Sequence, residues 1–130
     1  MKKYIMIGSM GIAGALCRYG VSLLFPSGFP WSTLIVNMLG CLLLPVIFIV
    51  LRELGTFSDR LVTAMGTGFI GAFTTLSSFT VEIIKLLSSG KTGTAATYLL
   101  LSTAGGLTIA YLSVLFSTKA IRKIMKKKEV

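Results

Sequence analysis

The stretch Gly68-Phe69-Ile70-Gly71-Ala72-Phe73-Thr74-Thr75-Leu76-Ser77-Ser78-Phe79-Thr80 decides the fold, because it places hydroxyl groups inside an uncharged apolar run from Leu61 to Val81. Of the seven residues from Thr74 to Thr80, five are Ser or Thr. Lipid offers such groups no hydrogen bonds, so they need partners inside the protein or they line a path for a polar solute. Gly68 and Gly71, just upstream, predict a backbone break that is buried or faces a cavity. We interpret the stretch as part of a permeation pathway.

The composition places the whole chain in the membrane class. The 130 residues are 54% hydrophobic and 13% charged, and the mean hydropathy is +0.87. These values are too apolar for a soluble domain of this size. Because a helical span needs about 20 apolar residues, the sequence predicts four transmembrane helices at about 3–25, 31–51, 61–87 and 95–117. We expect one all-α integral membrane domain over 1–130, with the third helix broken near its middle and no removed signal peptide.

The positive charge is concentrated on one side of the predicted membrane. A net charge of +9 suits nucleic-acid binding, but the cations sit at the membrane edges instead. With the N-terminus inside, only Lys85 and Lys91 lie outside, which predicts both termini in the cytoplasm. The terminal basic cluster is placed to meet anionic membrane lipids, and no nucleic acid is expected as a partner. The inside cations are Lys2, Lys3, Arg52, Arg60, Lys119, Arg122, Lys123, Lys126, Lys127 and Lys128.

The residue inventory argues against an enzyme. Cys17 and Cys41 fall within predicted spans, where they are interpreted as packing residues. The chain has no His and few carboxylates, which disfavours a transition-metal site. No nucleophile and base pair is available for catalysis.

Two polar residues inside the first two spans each allow two interpretations. Arg18 either attracts an anion, or bonds helix-end carbonyls and reaches the membrane surface. Asn37 carries the only amide side chain of the sequence. It either makes an interhelical hydrogen bond or presents its NH₂ group to a partly dehydrated anion.

The third and fourth spans add further candidates. Phe69, Phe73 and Phe79 surround the hydroxyl-rich stretch, either as packing residues or as rings whose electropositive edges face an anion. Glu82 lines a vestibule, pairs with Lys85 or faces water. In the fourth span, Tyr98 and Ser102 are four residues apart and so share one helix face, which favours a polar track.

Three motifs in order resemble those of the Fluc (CrcB-type) fluoride channels. Gly11-Ile12-Ala13-Gly14-Ala15-Leu16-Cys17-Arg18-Tyr19 is similar to the family pattern G-x-x-G-A-x-x-R-Y/F. Thr33-Leu34-Ile35-Val36-Asn37-Met38-Leu39-Gly40 resembles T-x-x-x-N-x-x-G. The stretch from Gly68 to Phe79 resembles G-x-x-G-x-x-T-T-F-S-T-F. The resemblance implies an antiparallel, dual-topology dimer with two narrow pores and passive, selective export of the fluoride ion across the bacterial inner membrane.

The resemblance also implies residue roles. Asn37 is expected to contact fluoride, and Phe79 to be the second aromatic of the pore. Arg18 and Glu82 are expected in the vestibule. The backbone carbonyls of Gly71 and Thr74 are expected to hold a structural Na⁺ at the dimer interface, since carbonyl oxygens suit a hard cation. The remaining predicted pore residues are Thr75, Leu76, Ser77, Tyr98 and Ser102.

The chain departs from the family pattern in ways that bear on its assembly. Leu76 stands where the family has its first pore Phe, and Ser78 replaces a Thr. A homodimer of antiparallel chains needs near-balanced flanking charge, whereas this chain has ten inside cations against two. We therefore expect a heterodimer with a second, oppositely oriented CrcB-type subunit, in which the pore that contains Leu76 is silent; a homodimer is the alternative.

Two other classes of protein remain as alternatives. A small four-span multidrug or cation exporter shares the size and the antiparallel pairing, but it needs an intramembrane carboxylate, for which Glu82 is the only candidate. A non-transporting membrane scaffold would have no need of Asn37.

Overall fold

The computed structural model describes residues 1–25, 28–55 and 57–128, with side chains described as far as residue 126. Part of the predicted first link (Pro26 and Ser27), Thr56 of the second link and the side chains of Lys127 and Lys128 lie outside the described residues. Over the described ranges the chain forms helices and no strand. The helices are α1 (Lys2–Leu24), α2 (Trp31–Leu51), α3 (59–73), α4 (Leu76–Ser88) and α5 (Thr92–Lys128).

Among the described residues four stretches are long and apolar enough to cross a membrane, which confirms the predicted all-helical fold with four spans. The first two are α1 and α2, the third is Asp59–Ser88, and the fourth is Thr92–Lys126. The helix α5 continues past its predicted end at Ser117 into the basic cluster. Large apolar side chains such as Ile12, Leu24 and Leu107 are exposed, as expected of surfaces that face acyl chains.

The helix α1 packs closely along α3 through glycines. A Cβ atom at Gly14 would overlap the carbonyl of Phe69, and one at Gly68 would come within 2.5 Å of the Ile7 carbonyl. Glycines therefore let the two backbones approach, as small residues do between membrane helices. Gly14 and Gly68 serve this contact within one chain, whereas Gly71 remains exposed on the outer face of the third span.

The sharp turn between α4 and α5 depends on Gly90. The N–H of Gly90 donates to the Leu87 carbonyl at 3.0 Å, and the N–H of Lys91 donates to the Leu86 carbonyl at 2.9 Å. Gly90 has a φ of 72°, which only glycine adopts without strain. The turn brings α5 back against α4, where Tyr98, fully buried, centres a cluster with Leu34, Leu86 and Ala95.

The third span is interrupted at two threonines. Thr74 (φ −83°, ψ 159°) and Thr75 (φ −151°, ψ 121°) have extended backbones between α3 and α4. The interruption therefore falls after Gly71 rather than at the glycines. Thr75 caps α4, because its hydroxyl accepts the N–H of Ser78 at 3.2 Å, and such a cap contributes about 1 kcal/mol. The chain thus resumes as a helix immediately after the interruption.

Candidate functional site

The side chain of Asn37 bridges the interruption from α2. Its carbonyl oxygen accepts the backbone N–H of Thr75 at 2.8 Å, and its NH₂ group donates to the Thr75 carbonyl at 3.0 Å. The amide therefore replaces the helical partners that Thr75 lacks in its extended conformation. One hydrogen of the NH₂ group is used in this way, and within the described residues the second has no partner. The interhelical hydrogen bond foreseen for Asn37 is present, and one donor remains available.

Arg18 approaches the same interruption from α1. Its Nε–H donates to the carbonyl of Ala72 at 3.1 Å, in the last turn of α3. This contact corresponds to the interpretation in which Arg18 bonds helix-end carbonyls. Cations are favourable at this end of a helix because the unpaired carbonyls carry partial negative charge.

Glu82 is held by two neutral donors. The hydroxyl of Thr33 donates to Oε1 and the hydroxyl of Tyr98 donates to Oε2, both at 2.7 Å. The only ion pair among the described side chains joins Arg52 to Asp59, so the suggested pair of Glu82 with Lys85 is wrong. Glu82 instead belongs to a hydroxyl-bonded group that spans α2, α4 and α5.

The three phenylalanines separate into two environments. Phe69 and Phe73 stack on each other with ring centroids 5.9 Å apart, and Phe73 is only 6% exposed, which identifies them as packing residues. Phe79 packs at 5.1 Å against Tyr98, with the ring planes tilted by 58°. Phe79 is therefore the ring that lies next to the hydroxyl-bonded group around Glu82.

Two cavities meet at the interruption. The polar cavity has a volume of about 290 Å³ and is lined by Arg18, Thr33, Ser78 and Glu82 among others. The outer groove has a volume of about 500 Å³ and is lined by Asn37, Gly71, Thr74 and Leu76 among others. Thr75 lines both. Thr75 thus stands between a polar cavity with opposite charges and a mostly apolar groove, and its partner Asn37 lines the groove.

The remaining predicted site residues are Leu76, Ser77 and Ser102. The side chain of Leu76 is 77% exposed. The Ser77 hydroxyl lies 3.2 Å from that of Thr75. Ser102 has a buried hydroxyl oxygen that finds no hydrogen-bond partner in the described part of the chain. The structure brings Asn37 to Thr75, and Tyr98 to Glu82, but within the described residues Ser102 is hydrogen-bonded to neither pair.

Two carbonyls at the interruption suit a hard cation. In a continuous helix the N–H of Thr75 would donate to Gly71, but here it donates to Asn37, and the N–H of Thr74 donates to Ile70. Thr74 precedes the residue that caps α4, so its carbonyl lies outside the hydrogen-bond ladder of that helix. Free carbonyl oxygens are the donor type that such cations prefer, so Gly71 and Thr74 fit the Na⁺ that the resemblance implies.

The sequence interpretation missed the role of Thr33. This residue is 5% exposed and supplies one of the two donors to Glu82. A signal was present, because Thr33 precedes Asn37 by four residues and so shares its helix face. The partner, however, is 49 residues away along the chain, and the spacing of polar residues does not specify such a pairing.

Comparison with known proteins shows similarity along almost the whole chain. A family model described as CrcB-like protein, Camphor Resistance (CrcB), matches residues 5–114. Fluoride-specific ion channel FluC 2 of Listeria innocua serovar 6a is 42% identical over 121 residues, covering 92% of this chain and 94% of that protein. Fluoride-specific ion channel FluC 1 of a Bacillus cereus strain is 38% identical over 124 residues, covering 92% and 90%. Fluoride-specific ion channel FluC 1 of Desulfitobacterium hafniense is 44% identical over 101 residues, covering 76% and 89%.

Proposed function

The chain belongs to the CrcB-like family, and from this membership we propose that it is a subunit of a passive fluoride channel, a multi-pass membrane protein without enzymatic activity. The observation that carries the proposal is the position of Thr75, which lines both the polar cavity and the outer groove and is hydrogen-bonded to Asn37 of the groove. This point combines an unused amide N–H with hydroxyl groups, in the same span as an aromatic ring. Such a set of donors matches a small anion.

The mechanism follows from the hydration of fluoride. The ion is small and strongly hydrated, so a pore must replace its water with donors that also release it. In the proposed pathway Asn37 supplies an amide N–H, and Thr75, Ser77 and Ser102 supply hydroxyls. Phe79 supplies the positive edge of its ring. None of these groups carries a full charge, so none traps the ion.

The charged residues act at the mouth of the pathway. Arg18 faces the polar cavity and raises the local concentration of anions there. Glu82 is held by Thr33 and Tyr98, which keeps its oxygens occupied by donors from the protein. Tyr98 at the same time presents its ring to Phe79, and so connects the vestibule to the aromatic part of the pathway.

The proposed assembly is an antiparallel dimer formed through the outer groove. Gly71 and Leu76 are exposed there, and carbonyl groups in a membrane need partners. Gly71 and Thr74 of both subunits would hold the structural Na⁺, which supplies positive charge at the interface. The bias of flanking charge supports a single orientation in the bacterial inner membrane, with cytoplasmic termini, and a distinct CrcB-type partner. In that heterodimer Phe79 serves the conducting pore and Leu76 the silent one.

Fluoride efflux from liposomes tests both parts of the proposal. The chain is reconstituted alone and together with a CrcB-type subunit of opposite charge bias, and a fluoride electrode follows release while chloride serves as the control anion. We expect rapid, proton-independent fluoride release from the pair and little from the single chain. Absence of release from both preparations contradicts channel function, and robust release from the single chain contradicts the heterodimer. Proton-driven uptake of a lipophilic cation would instead indicate an exporter.

A further inference from the structure

The hydrogen bonds of Asn37 have a consequence for Gly71, which lies on the other side of the interruption. In a regular helix the N–H of each residue donates to the carbonyl four residues earlier, so Thr75 would donate to Gly71. The carbonyl oxygen of Asn37 takes the Thr75 N–H at 2.8 Å instead. The preceding N–H, that of Thr74, is bonded to Ile70 at 2.9 Å. The carbonyl of Gly71 is therefore without a helical donor because of a side chain on α2.

The neighbouring carbonyl, that of Ala72, has a replacement donor, and this distinguishes it from the carbonyl of Gly71. Ala72 loses its helical donor at the same interruption, but Arg18 replaces that donor at 3.1 Å. No side chain among the described residues bonds the Gly71 carbonyl. A Cβ atom at Gly71 would meet nothing within 4 Å, so the space beside this residue is open. At the interruption the Ala72 carbonyl is therefore hydrogen-bonded, whereas the Gly71 carbonyl remains accessible.

We infer that the two ends of the Asn37 amide have separate roles: the carbonyl oxygen keeps the Thr75 N–H away from Gly71, so that the Gly71 carbonyl stays free for a hard cation, while the NH₂ end serves the anion pathway. Asn37 is thus a positioning residue for the cation site, which it does not itself touch. Without the Asn37 oxygen, the Thr75 N–H has a helical acceptor in Gly71, and α3 can extend by one hydrogen bond. The NH₂ role rests on the proposed fluoride function, and the cation role rests on the proposed dimer.

Two substitutions separate the two ends of the amide. Asn37→Asp keeps an oxygen that accepts the Thr75 N–H but lacks the NH₂ donor. Asn37→Ala lacks both. Leu39→Ala, at an exposed position of the same helix, serves as the control. Each full-length protein is purified in mild detergent as the complex with a CrcB-type subunit of opposite charge bias, and its thermal unfolding midpoint is measured in sodium chloride and in choline chloride at equal ionic strength. A ligand that binds only the folded state raises this midpoint.

We expect sodium to raise the midpoint of the wild type, of Leu39→Ala and of Asn37→Asp, and to leave that of Asn37→Ala unchanged. Fluoride efflux should be lost in both Asn37 variants. The inference is overturned if sodium raises the unfolding midpoint of Asn37→Ala as much as that of the wild type. It is also overturned if the midpoint of the wild type does not change with sodium. If Asn37→Ala does not fold, the wild-type hydrogen bond between Asn37 and Thr75 decides, measured by the NMR coupling described next.

A second readout observes the hydrogen bond directly and needs no sodium. Scalar coupling across hydrogen bonds, measured by NMR in micelles, should join the Thr75 nitrogen to the side-chain carbonyl carbon of Asn37 in the wild type. In Asn37→Ala the coupling should move to the Gly71 carbonyl carbon. Coupling of Thr75 to Gly71 already in the wild type overturns the inference. These results are separable from the fluoride proposal, which stands or falls on efflux alone.

Discussion

The phenolic hydroxyl of Tyr98 donates to Oε2 of Glu82 at 2.7 Å and so ties α5 to α4 across the site. Tyr98 is fully buried, and its ring contacts those of Phe79 and Phe29 at centroid distances of 5.1 and 5.4 Å. Tyr98 therefore binds the Glu82 carboxylate through its hydroxyl and packs in an aromatic cluster through its ring. Over the described part of the chain, the other oxygen of Glu82 has Thr33 as its single side-chain donor.

Thr33→Val is expected to destabilise the protein by about 1.5–3 kcal/mol, the usual loss for a hydrogen bond to a charged group. Valine keeps the shape of threonine but leaves Oε1 of Glu82 without its donor. Thr103→Val is the matched control, because the exposed Thr103 hydroxyl donates only to the Leu99 carbonyl of its own helix at 2.7 Å. Denaturation in mixed micelles, followed by circular dichroism, should show a change within about 0.5 kcal/mol for the control. Equal losses of unfolding free energy in the two variants would argue against a stabilising hydrogen bond from Thr33 to Glu82.

Gly14→Ala is expected to destabilise the chain by about 1–3 kcal/mol, the usual range for overpacking. The added methyl group would overlap the Phe69 backbone carbonyl, which cannot move aside without separating α1 from α3. Gly8→Ala, on the same helix, meets nothing within 4 Å and should gain about 0.5–1 kcal/mol. The same denaturation assay compares the two. A neutral Gly14→Ala variant would contradict the close contact between the helices.

Leu76→Phe is expected to raise the fluoride efflux of the heterodimer about twofold, because the pore that Leu76 silences then conducts beside the pore that already does. The substitution restores the ring that the family pattern has at this position, and the exposure of Leu76 means that no repacking within the chain is needed. Leu100→Phe, at an exposed position of α5, controls for added aromatic surface. The liposome assay provides the measurement. Unchanged efflux would show that Leu76 is not what limits conduction.

Neutralising the described part of the basic cluster is expected to relax the orientation of the chain. Glutamine at Lys119, Arg122, Lys123 and Lys126 removes four of the ten inside cations, and the bias that sets topology falls accordingly. A C-terminal green fluorescent protein, which matures only in the cytoplasm, reports the orientation, and its fluorescence per chain should decrease. The control exchanges Lys for Arg and Arg for Lys at the same positions and keeps the charge. Fluorescence that does not change in the glutamine variant would show that the terminal charges do not set topology.

The fold was predictable from sequence because hydropathy identifies membrane spans directly. The long apolar runs and the turn at Gly90 need no knowledge of tertiary contacts. The position of the interruption was harder to predict, because Gly68 and Gly71 have the conformational freedom to break a helix whereas Thr74 and Thr75 do so. The reason lies in α2, where Asn37 stabilises the extended backbone, and in the ability of Thr75 to cap the next helix.

The site was predictable as a set of residues but not as a set of contacts. Asn37, Glu82 and Tyr98 stand out as polar groups in apolar spans. Their partners do not stand out, since Thr33 and the Thr75 backbone have no unusual chemistry and become important only because the fold brings them within hydrogen-bond distance. The choice between the two interpretations of Arg18 likewise needed the 3.1 Å contact to Ala72, which no pattern in the first span encodes.

The exposed position of Gly71 in the outer groove bears on how the cell handles this polypeptide. In the proposed dimer the Gly71 carbonyl faces the partner subunit, whereas a solitary copy would turn it toward hydrocarbon, which costs free energy that only a companion or a breach in the bilayer can offset. If the proposed dimer forms, copies that remain single are the expected substrates of membrane proteases, and the abundance of this polypeptide should follow the supply of its companion rather than its own rate of synthesis.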